Sequence, residues 1–437
     1  FVLLFSCMLQ RFRNIFQNNP LLQVTSQNSA GILVKLFTGL AASKIIAIFV
    51  GPSGMAWLGN LTNFQNIVNN FSTAGLEKGA IRYCAEYKDD RERLNSFLST
   101  LFFIGICICL LLGILLFFGS GFLNDLVFPK QDFEYIFKLL AFILPLSMLN
   151  IYCLSILRGI GEFKKVIWIN ILTNLLNLLL IGILVWQFGL DGAMLTFIVL
   201  PSAILFITLI VANKKLRLIR HFKLGNVSRV FGKNLSQYAL MTLVSSITFP
   251  VVFLMVRNFI IDRIGSEEAG YWEALTRISN YYLLFIMSLL SLYILPKMAE
   301  TNTDSGFRKI VFDFYKTVLP FFGIGLLVIY FLRFWIVRIV FSKEFLPMTE
   351  LFLWQLVGDF VRVAVIVIVY QLHAKKMVWK FILSDLFLAA MTYLSSVFLI
   401  SKIGLEGVVI GYAITWSLYG LVVLFIFRKT FLYKWLI

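Results

Sequence analysis

The stretch FLSTLFFIGICICLLLGILLFF, residues 97–118, decides the class of fold. It contains no charged residue, and as a helix it is long enough to cross the hydrocarbon core of a bilayer. Similar apolar runs recur along the whole chain of 437 residues, of which 60% are hydrophobic and 14% charged. Soluble domains have about 25% charged residues, and strands of a membrane barrel alternate in polarity, unlike these runs. The sequence therefore predicts an all-α membrane protein.

The apolar runs predict about twelve transmembrane helices. We place the spans at residues 24–50, 56–83, 97–118, 136–157, 166–187, 193–212, 236–261, 271–296, 317–337, 351–372, 381–401 and 408–427. The segments on one side of these spans hold 25 Lys and Arg residues, and those on the other side hold 5. By the positive-inside rule, both termini are expected in the cytoplasm. We expect a multi-pass protein of the bacterial inner membrane. Topology thus explains most of the net charge of +17, and we expect no nucleic acid partner.

The chain contains an internal repeat. Phe188-Gly-Leu-Asp-Gly192 precedes the sixth span and Ile403-Gly-Leu-Glu-Gly407 the twelfth, and the same shift of 215 residues carries Trp57 onto Trp272. Two copies of six spans have the same orientation, as in transporters that rock two bundles about a central cleft. The predicted units are an N-terminal leader or cytoplasmic segment 1–23, an N-lobe 24–213, a basic linker 214–235, a C-lobe 236–427 and a cytoplasmic tail 428–437.

Catalytic and metal-binding patterns are not found in the sequence. Neither the five Cys nor the two His have the spacing of a metal site or a disulfide framework. We therefore predict a transporter and not an enzyme, with no cofactor and no metal. The chain opens with Phe1, and we expect residues 1–20 to be a leader or a start-site artefact.

Basic residues also lie inside the predicted spans, where a cation costs about 2.5–3.5 kcal/mol on insertion scales. Most lie near a span end and can reach the interface, but Lys35, Arg277 and Arg362 lie deeper, and Arg257 lies toward an outer end. Cations outnumber acids in the spans, and a surplus of buried cations needs an anionic guest. Because the Arg fork matches phosphate oxygens, the sequence predicts an anionic, phosphate-bearing substrate.

Polar residues form a stripe on the second span. Asn63, Asn66, Asn70, Thr73 and Glu77 follow helical spacing on one face, and in lipid such a face must meet protein or water. We expect it to line a wet cleft, with Asn63, Asn66 and Asn70 as polar residues of its wall.

Two acids have a cation nearby on the same span. Glu273 precedes Arg277 by four residues and Asp359 precedes Arg362 by three. These pairs either lock helices together or leave the cations free for substrate, and both interpretations remain open.

Several motifs together resemble a known family. The three most specific are Leu353-Trp-Gln-Leu-Val-Gly-Asp359; the segment Ser236–Arg257, with Ala239-Leu-Met, Ser246, Thr248 and Pro250; and Ser291-Leu-Tyr-Ile-Leu-Pro296. Two weaker motifs are Val50-Gly-Pro-Ser-Gly54 with Leu58-Gly, and Gly75 and Gly79 with Tyr83-Cys-Ala-Glu-Tyr87. From about Ser26 to Phe427 the chain resembles the Wzx-type O-antigen and enterobacterial-common-antigen lipid-linked oligosaccharide flippases of the multidrug/oligosaccharidyl-lipid/polysaccharide exporter superfamily.

The resemblance implies two six-helix lobes that move undecaprenyl-pyrophosphate-linked oligosaccharide to the periplasmic leaflet, a step of lipopolysaccharide and other polysaccharide biosynthesis. It maps Lys35, Arg257, Arg277 and Arg362 onto the family's charged cavity, as pyrophosphate ligands. It also implies that Asn63, Asn66 and Asn70 bind the sugars. Membrane lipid, a polysaccharide polymerase and a chain-length regulator are the further partners that it implies. Asn280 stands where family members carry Asp, so ion coupling would instead rest on the acids Glu77, Glu273 and Asp359.

Three other functions are weighed against this one. A drug or cation antiporter of the same superfamily would need an excess of acids in its cavity, and the excess of bases disfavours it. A membrane glycosyltransferase or polymerase would need a large periplasmic loop with paired acids, but the longest outer loop is Gly119–Tyr135. A scaffold that transports nothing is the third alternative.

Overall fold

The computed structural model describes residues 20–212, 229–301, 303–375 and 377–432, and these ranges form helices joined by short turns. The predicted leader, the basic linker and the end of the tail lie largely outside the described residues. The first half contains α1 (Pro20–Phe49), α2 (Gly51–Ser72), α3 (Glu77–Glu86), α4 (Arg91–Phe118), α5 (Ser120–Val127), α6 (Glu134–Gly159) and α7 (Phe163–Ala212). The second half contains α8 (Arg229–Arg263), α9 (Ser266–Leu289), α10 (Leu295–Glu300), α11 (Asp304–Val340), α12 (Phe352–Ala374), α13 (Val378–Ile403), α14 (Glu406–Ile426) and α15 (Arg428–Leu432). A π-helical turn, Leu290–Ile294, joins α9 to α10, and a 3-10 helix, Lys343–Leu351, precedes α12.

Helix length and hydropathy identify the protein as membrane-spanning. In the described ranges, nine helical stretches are long and apolar enough to cross a bilayer. One of them, α7, holds two of the predicted spans, because its 50 residues bend at Gly189. Large side chains such as Phe118 and Phe331 are more than 70% exposed, as lipid-facing groups are in the absence of lipid.

Polar side chains cap the N-termini of α4 and α11. Asp90 accepts a hydrogen bond from the backbone N–H of Arg93 at 3.1 Å, and Thr303 accepts one from Gly306 at 3.2 Å. Each side chain satisfies an N–H that has no carbonyl partner in the first turn, which contributes about 1 kcal/mol. The apolar runs that follow therefore start at defined positions.

The repeat seen in the sequence recurs in the backbone. Gly189 and Gly404, 215 residues apart, both have positive φ, at 55° and 70°. A Cβ on Gly192 would lie 1.9 Å from the carbonyl oxygen of Leu184, and one on Gly407 would lie 2.5 Å from that of Leu399. Each half thus makes the same tight turn before its last long helix, and only glycine fits the four positions.

The second span differs from its prediction. We predicted one helix over residues 56–83, but α2 ends at Ser72 and α3 starts at Glu77. Between them Ala74 and Gly75 turn the backbone with φ of 50° and 63°. Glu77 therefore does not continue the polar face of α2, because helical spacing does not extend through a left-handed turn. Thr73 is the C-cap residue of α2 and precedes this turn.

The two halves meet along α2. This helix packs against α8 and α9, whereas α1 packs on α7 in the first half and α13 on α14 in the second. The contact is close, because a Cβ on Gly270 of α9 would lie 1.9 Å from the carbonyl oxygen of Pro52 in α2. Ser53 and Ser266 also form a hydrogen bond across it, at 3.1 Å.

Candidate functional site

A cavity of about 850 Å³ lies between α2 and the helices of the second half. Its volume is in the range of small-molecule and cofactor sites. The polar residues of its wall include Thr62, Asn63 and Asn66 from α2, and Thr276, Ser279 and Asn280 from α9. The cations of its wall are Lys78, Arg257 and Arg362, and its acids are Glu273 and Asp385. The cavity can therefore hold a polar ligand deep within a membrane-spanning body.

Arg257, Glu273 and Arg277 form one charged cluster on α8 and α9. The Nη2 atom of Arg257 lies 2.5 Å from Oε2 of Glu273, and Nε of Arg277 lies 2.8 Å from Oε1. The guanidinium of Arg257 is also 5.4 Å from the centre of the Trp272 ring, within cation–π range. The carboxylate of Glu273 thus forms ion pairs with two arginines, and the formal charge of the cluster is +1.

Asp359 is the centre of a second cluster, on α12. It is fully buried and accepts hydrogen bonds from the hydroxyl groups of Ser279 at 2.8 Å, Tyr282 at 2.5 Å and Tyr412 at 2.8 Å. The amide of Gln355 adds a longer one at 3.3 Å. These donors stabilise a carboxylate that would otherwise be costly to bury.

Arg362 lies one turn from Asp359 but binds it indirectly. Its Nη1 atom donates to the Tyr412 hydroxyl at 3.3 Å, and its guanidinium is 5.5 Å from the centre of the Trp416 ring. Its Nε is buried and has no hydrogen-bond partner among the described residues. The side chain therefore retains an unused donor at the wall of the cavity.

The other residues predicted from sequence lie at different places. Arg277 and Lys35 are not part of the cavity wall, and Lys35 is an exposed residue of α1. Asn70 donates to the carbonyl of Asn66 in its own helix, at 2.8 Å. Glu77 is also outside the cavity wall and pairs with Arg158 at 2.6 Å.

The sequence did not predict several residues of the site, among them Asp385, Lys78 and Tyr412. Asp385 lies within the predicted span 381–401 and lines the cavity, yet we did not include it among the acids. Lys78 is one of the basic residues near the end of a predicted span, which we expect to reach the interface, but it lines the cavity too. Tyr412 had no signal beyond being a tyrosine in an apolar helix, because its role depends on helix packing.

The comparison with known families decides the identity. The family described as polysaccharide biosynthesis protein matches residues 22–302, well over half of the chain. The chain belongs to this family. The resemblance inferred from the motifs is thereby confirmed at the level of this polysaccharide biosynthesis family.

Two similar proteins support the family assignment. The lipid III flippase of Escherichia coli (strain K12) is 25% identical over 399 residues, which are 90% of this chain and 94% of that protein. The lipid III flippase of Shigella flexneri matches to the same extent.

Solved structures show the fold that this family member adopts. An inward-facing multidrug resistance MATE family transporter superposes with a TM-score of 0.79 at 14% identity, over 93% of this chain and 97% of that one. The lipid II flippase MurJ in an inward closed conformation gives 0.72 at 18% identity, over 93% of this chain and 87% of that one. The predicted fold class, an all-α membrane protein of two lobes, is confirmed.

Proposed function

We propose that this family member moves an undecaprenyl-pyrophosphate-linked oligosaccharide, such as an O-antigen unit, from the cytoplasmic to the periplasmic leaflet of the bacterial inner membrane. The observation that carries the proposal is the cationic wall of a cavity inside a polysaccharide biosynthesis protein. Support comes from relatives named lipid III flippase, which the chain matches over 90% of its length. A pyrophosphate supplies the negative charge that buried guanidinium groups need.

The pyrophosphate is proposed to bind Arg362 and Arg257. Both line the cavity, and each has a buried Nε without a partner in the described ranges, so each can donate further hydrogen bonds. Arg277 would act on the headgroup through Glu273, to which it is bound. Lys35 of α1, which does not line the cavity in this structure, would also contact the headgroup. Arginine suits this task because its planar fork binds two phosphate oxygens at once.

The sugars are proposed to lie along α2. Asn63 and Asn66 line the cavity, and an amide can both donate to and accept from sugar hydroxyl groups. Asn70 would contribute only after releasing its bond to Asn66. The polyprenyl tail would stay in lipid while the two lobes rock and expose the headgroup to the periplasm.

Ion coupling is proposed for the acids near the cavity. Glu273 and Asp359 belong to the two clusters, whereas Glu77 is paired with Arg158 elsewhere. Asp385 joins them as an acid of the cavity wall, and in the described part of the chain no side chain donates a hydrogen bond to it. Both termini would face the cytoplasm, and a polymerase and a chain-length regulator would act on the exported unit.

The antiporter alternative has less support. The likeness to MATE transporters is at 14% identity and concerns the fold alone. A cavity for cationic drugs would favour acids, whereas cations are the majority of the charged side chains here, with Lys78, Arg257 and Arg362 against Glu273 and Asp385.

The test is deletion of the gene in its host, followed by complementation. Loss of the protein should abolish surface polysaccharide and leave polyprenyl-linked oligosaccharide on the cytoplasmic leaflet, and the wild-type gene should reverse both. Arg362→Ala should be present at normal levels and fail to complement. Arg333→Ala is the matched control, because Arg333 stacks on Tyr330 of its own helix and does not line the cavity. Full activity of Arg362→Ala would refute the assignment of the site.

A further inference from the structure

The backbone of α2 lies directly against the Arg257–Glu273 ion pair of the second half. A Cβ on Gly59 would come within 2.7 Å of both Cζ of Arg257 and Oε2 of Glu273. The next residue, Asn60, accepts a hydrogen bond from Nη1 of Arg257 at 3.1 Å. The ion pair is thus part of the contact between the halves as well as part of the cavity wall.

Asn60 extends the same contact on its other side. Its amide nitrogen donates to the carbonyl of Val127 at 2.7 Å and to the side chain of Asn258 at 2.7 Å. Asn258 in turn donates to the carbonyl of Leu126 at 2.7 Å. Asn60 therefore links Arg257 to the hydrogen bonds that join α2, α5 and α8.

Glu273 has an alternative partner if it loses Arg257. Its Oε1 already binds Arg277, which is four residues further along the same helix and does not line the cavity. A carboxylate that leaves Arg257 would remain paired, so the exchange would not leave an isolated buried anion. Arg257 itself would need another anion, because its side chain is only 2% exposed.

We infer that Glu273 is an internal substitute for the anion of the substrate, and that a phosphate group entering the cavity displaces it from Arg257. This inference rests on the proposed function and adds a mechanism to it. When Arg257 turns toward the phosphate, it leaves Asn60, and the contact of α2 with α8 and α9 is released. Ser53 and Ser266 then separate, since they meet along the same pair of helices.

The first test measures binding of undecaprenyl pyrophosphate to the purified protein in detergent. Glu273→Gln removes the competing charge but keeps the shape, so the probe should bind about tenfold more tightly than to wild type, since like charges a few ångströms apart repel strongly in a partly buried site. The matched control is Glu134→Gln, because Glu134 also pairs with a cation four residues on, Lys138 at 2.8 Å, away from the cavity. Its affinity should equal that of wild type. Equal or weaker binding by a folded Glu273→Gln would overturn the inference.

The second test keeps Glu273 and so does not depend on how that variant folds. In a chain whose native cysteines are replaced by serine, Ser53→Cys and Ser266→Cys together should form a disulfide under mild oxidation. Undecaprenyl pyrophosphate should slow this cross-linking severalfold, and an unchanged rate at saturating probe would overturn the inference.

The two tests separate the inference from the proposed function. If wild type does not bind the probe saturably, the proposed function fails and the inference fails with it. If wild type binds the probe and Arg362→Ala does not, but Glu273→Gln binds no more tightly, only the inference fails.

Discussion

Asp359 and Arg362 lie three residues apart on α12 and are joined through the hydroxyl group of Tyr412. That hydroxyl donates to Oδ1 of Asp359 at 2.8 Å and accepts from Nη1 of Arg362 at 3.3 Å. Asp359 and Arg362 therefore form no direct ion pair, and both bind α14 through the same hydroxyl group. Arg362 is thus held by α14 at the wall of the cavity, where we propose that it binds the substrate.

Tyr412→Phe should reduce transport by about tenfold, because hydrogen bonds to charged groups contribute about 1.5–3 kcal/mol each. The variant leaves the ring in place and removes only the link between Asp359 and Arg362. Tyr315→Phe is the control, since the Tyr315 hydroxyl donates to a neutral acceptor, the carbonyl of Ala364, outside the cavity wall. Restoration of surface polysaccharide measures both variants. Wild-type transport by Tyr412→Phe would show that Arg362 is oriented without it.

Gly404→Ala should destabilise the protein by about 1–3 kcal/mol, because its φ of 70° and ψ of −147° belong to a region that only glycine enters freely. A lower melting temperature in detergent is the expected result. Gly182→Ala is the control, as a helical glycine with open space around its Cβ position, and it should be neutral or stabilise the helix. Equal melting temperatures of the two variants would contradict the role given to the repeated turn.

Features within one helix were predictable from the sequence. Apolar runs predicted the membrane-spanning helices apart from the break in the second span, and the shift of 215 residues predicted Gly189 and Gly404 as equivalents. The spacing of Glu273 and Arg277 placed them one helical turn apart, where they form an ion pair. Each depends only on the rise and period of a helix or on a repeated motif.

Contacts between helices were not predictable in the same way. Arg257 and Glu273 are 16 residues apart on two helices, and Asn60 is 197 residues from Arg257. Periodicity shows which side chains share a face, but not which face of another helix lies opposite. The turn at Ala74 had no strong signal either, because an alanine with positive φ is uncommon.

Lys44→Met should lower the melting temperature, because Lys44 binds the end of a neighbouring helix. Its ammonium group donates to the carbonyl of Arg338 at 2.8 Å and to that of Phe341, at the C-terminus of α11. A cation there contributes about 0.3–1 kcal/mol, and up to about 2 kcal/mol where it is partly buried. Lys402→Met, at an exposed position, should melt as wild type does. Loss of transport without loss of stability would contradict this structural role for Lys44.

The orientation of the protein is tested by labelling from one side of the membrane. The distribution of Lys and Arg predicts that residues 402–407 face the periplasm and residues 297–316 the cytoplasm. Ser401 and Ser305 are exposed near these two segments and provide a matched pair of serines. In a chain without its native cysteines, an impermeant maleimide added to periplasm-accessible cells should label Ser401→Cys at once. Ser305→Cys should react only after the inner membrane is permeabilised.

The direction of transport depends on this result. If both termini are cytoplasmic, the contact between Ser53 and Ser266 lies on the periplasmic side, because α2 and α9 start there. The cavity beyond it would then open toward the leaflet on which lipid-linked oligosaccharides are assembled. The reverse labelling pattern would place that contact on the cytoplasmic side, and export of a headgroup made in the cytoplasm would then have to begin from a different conformation.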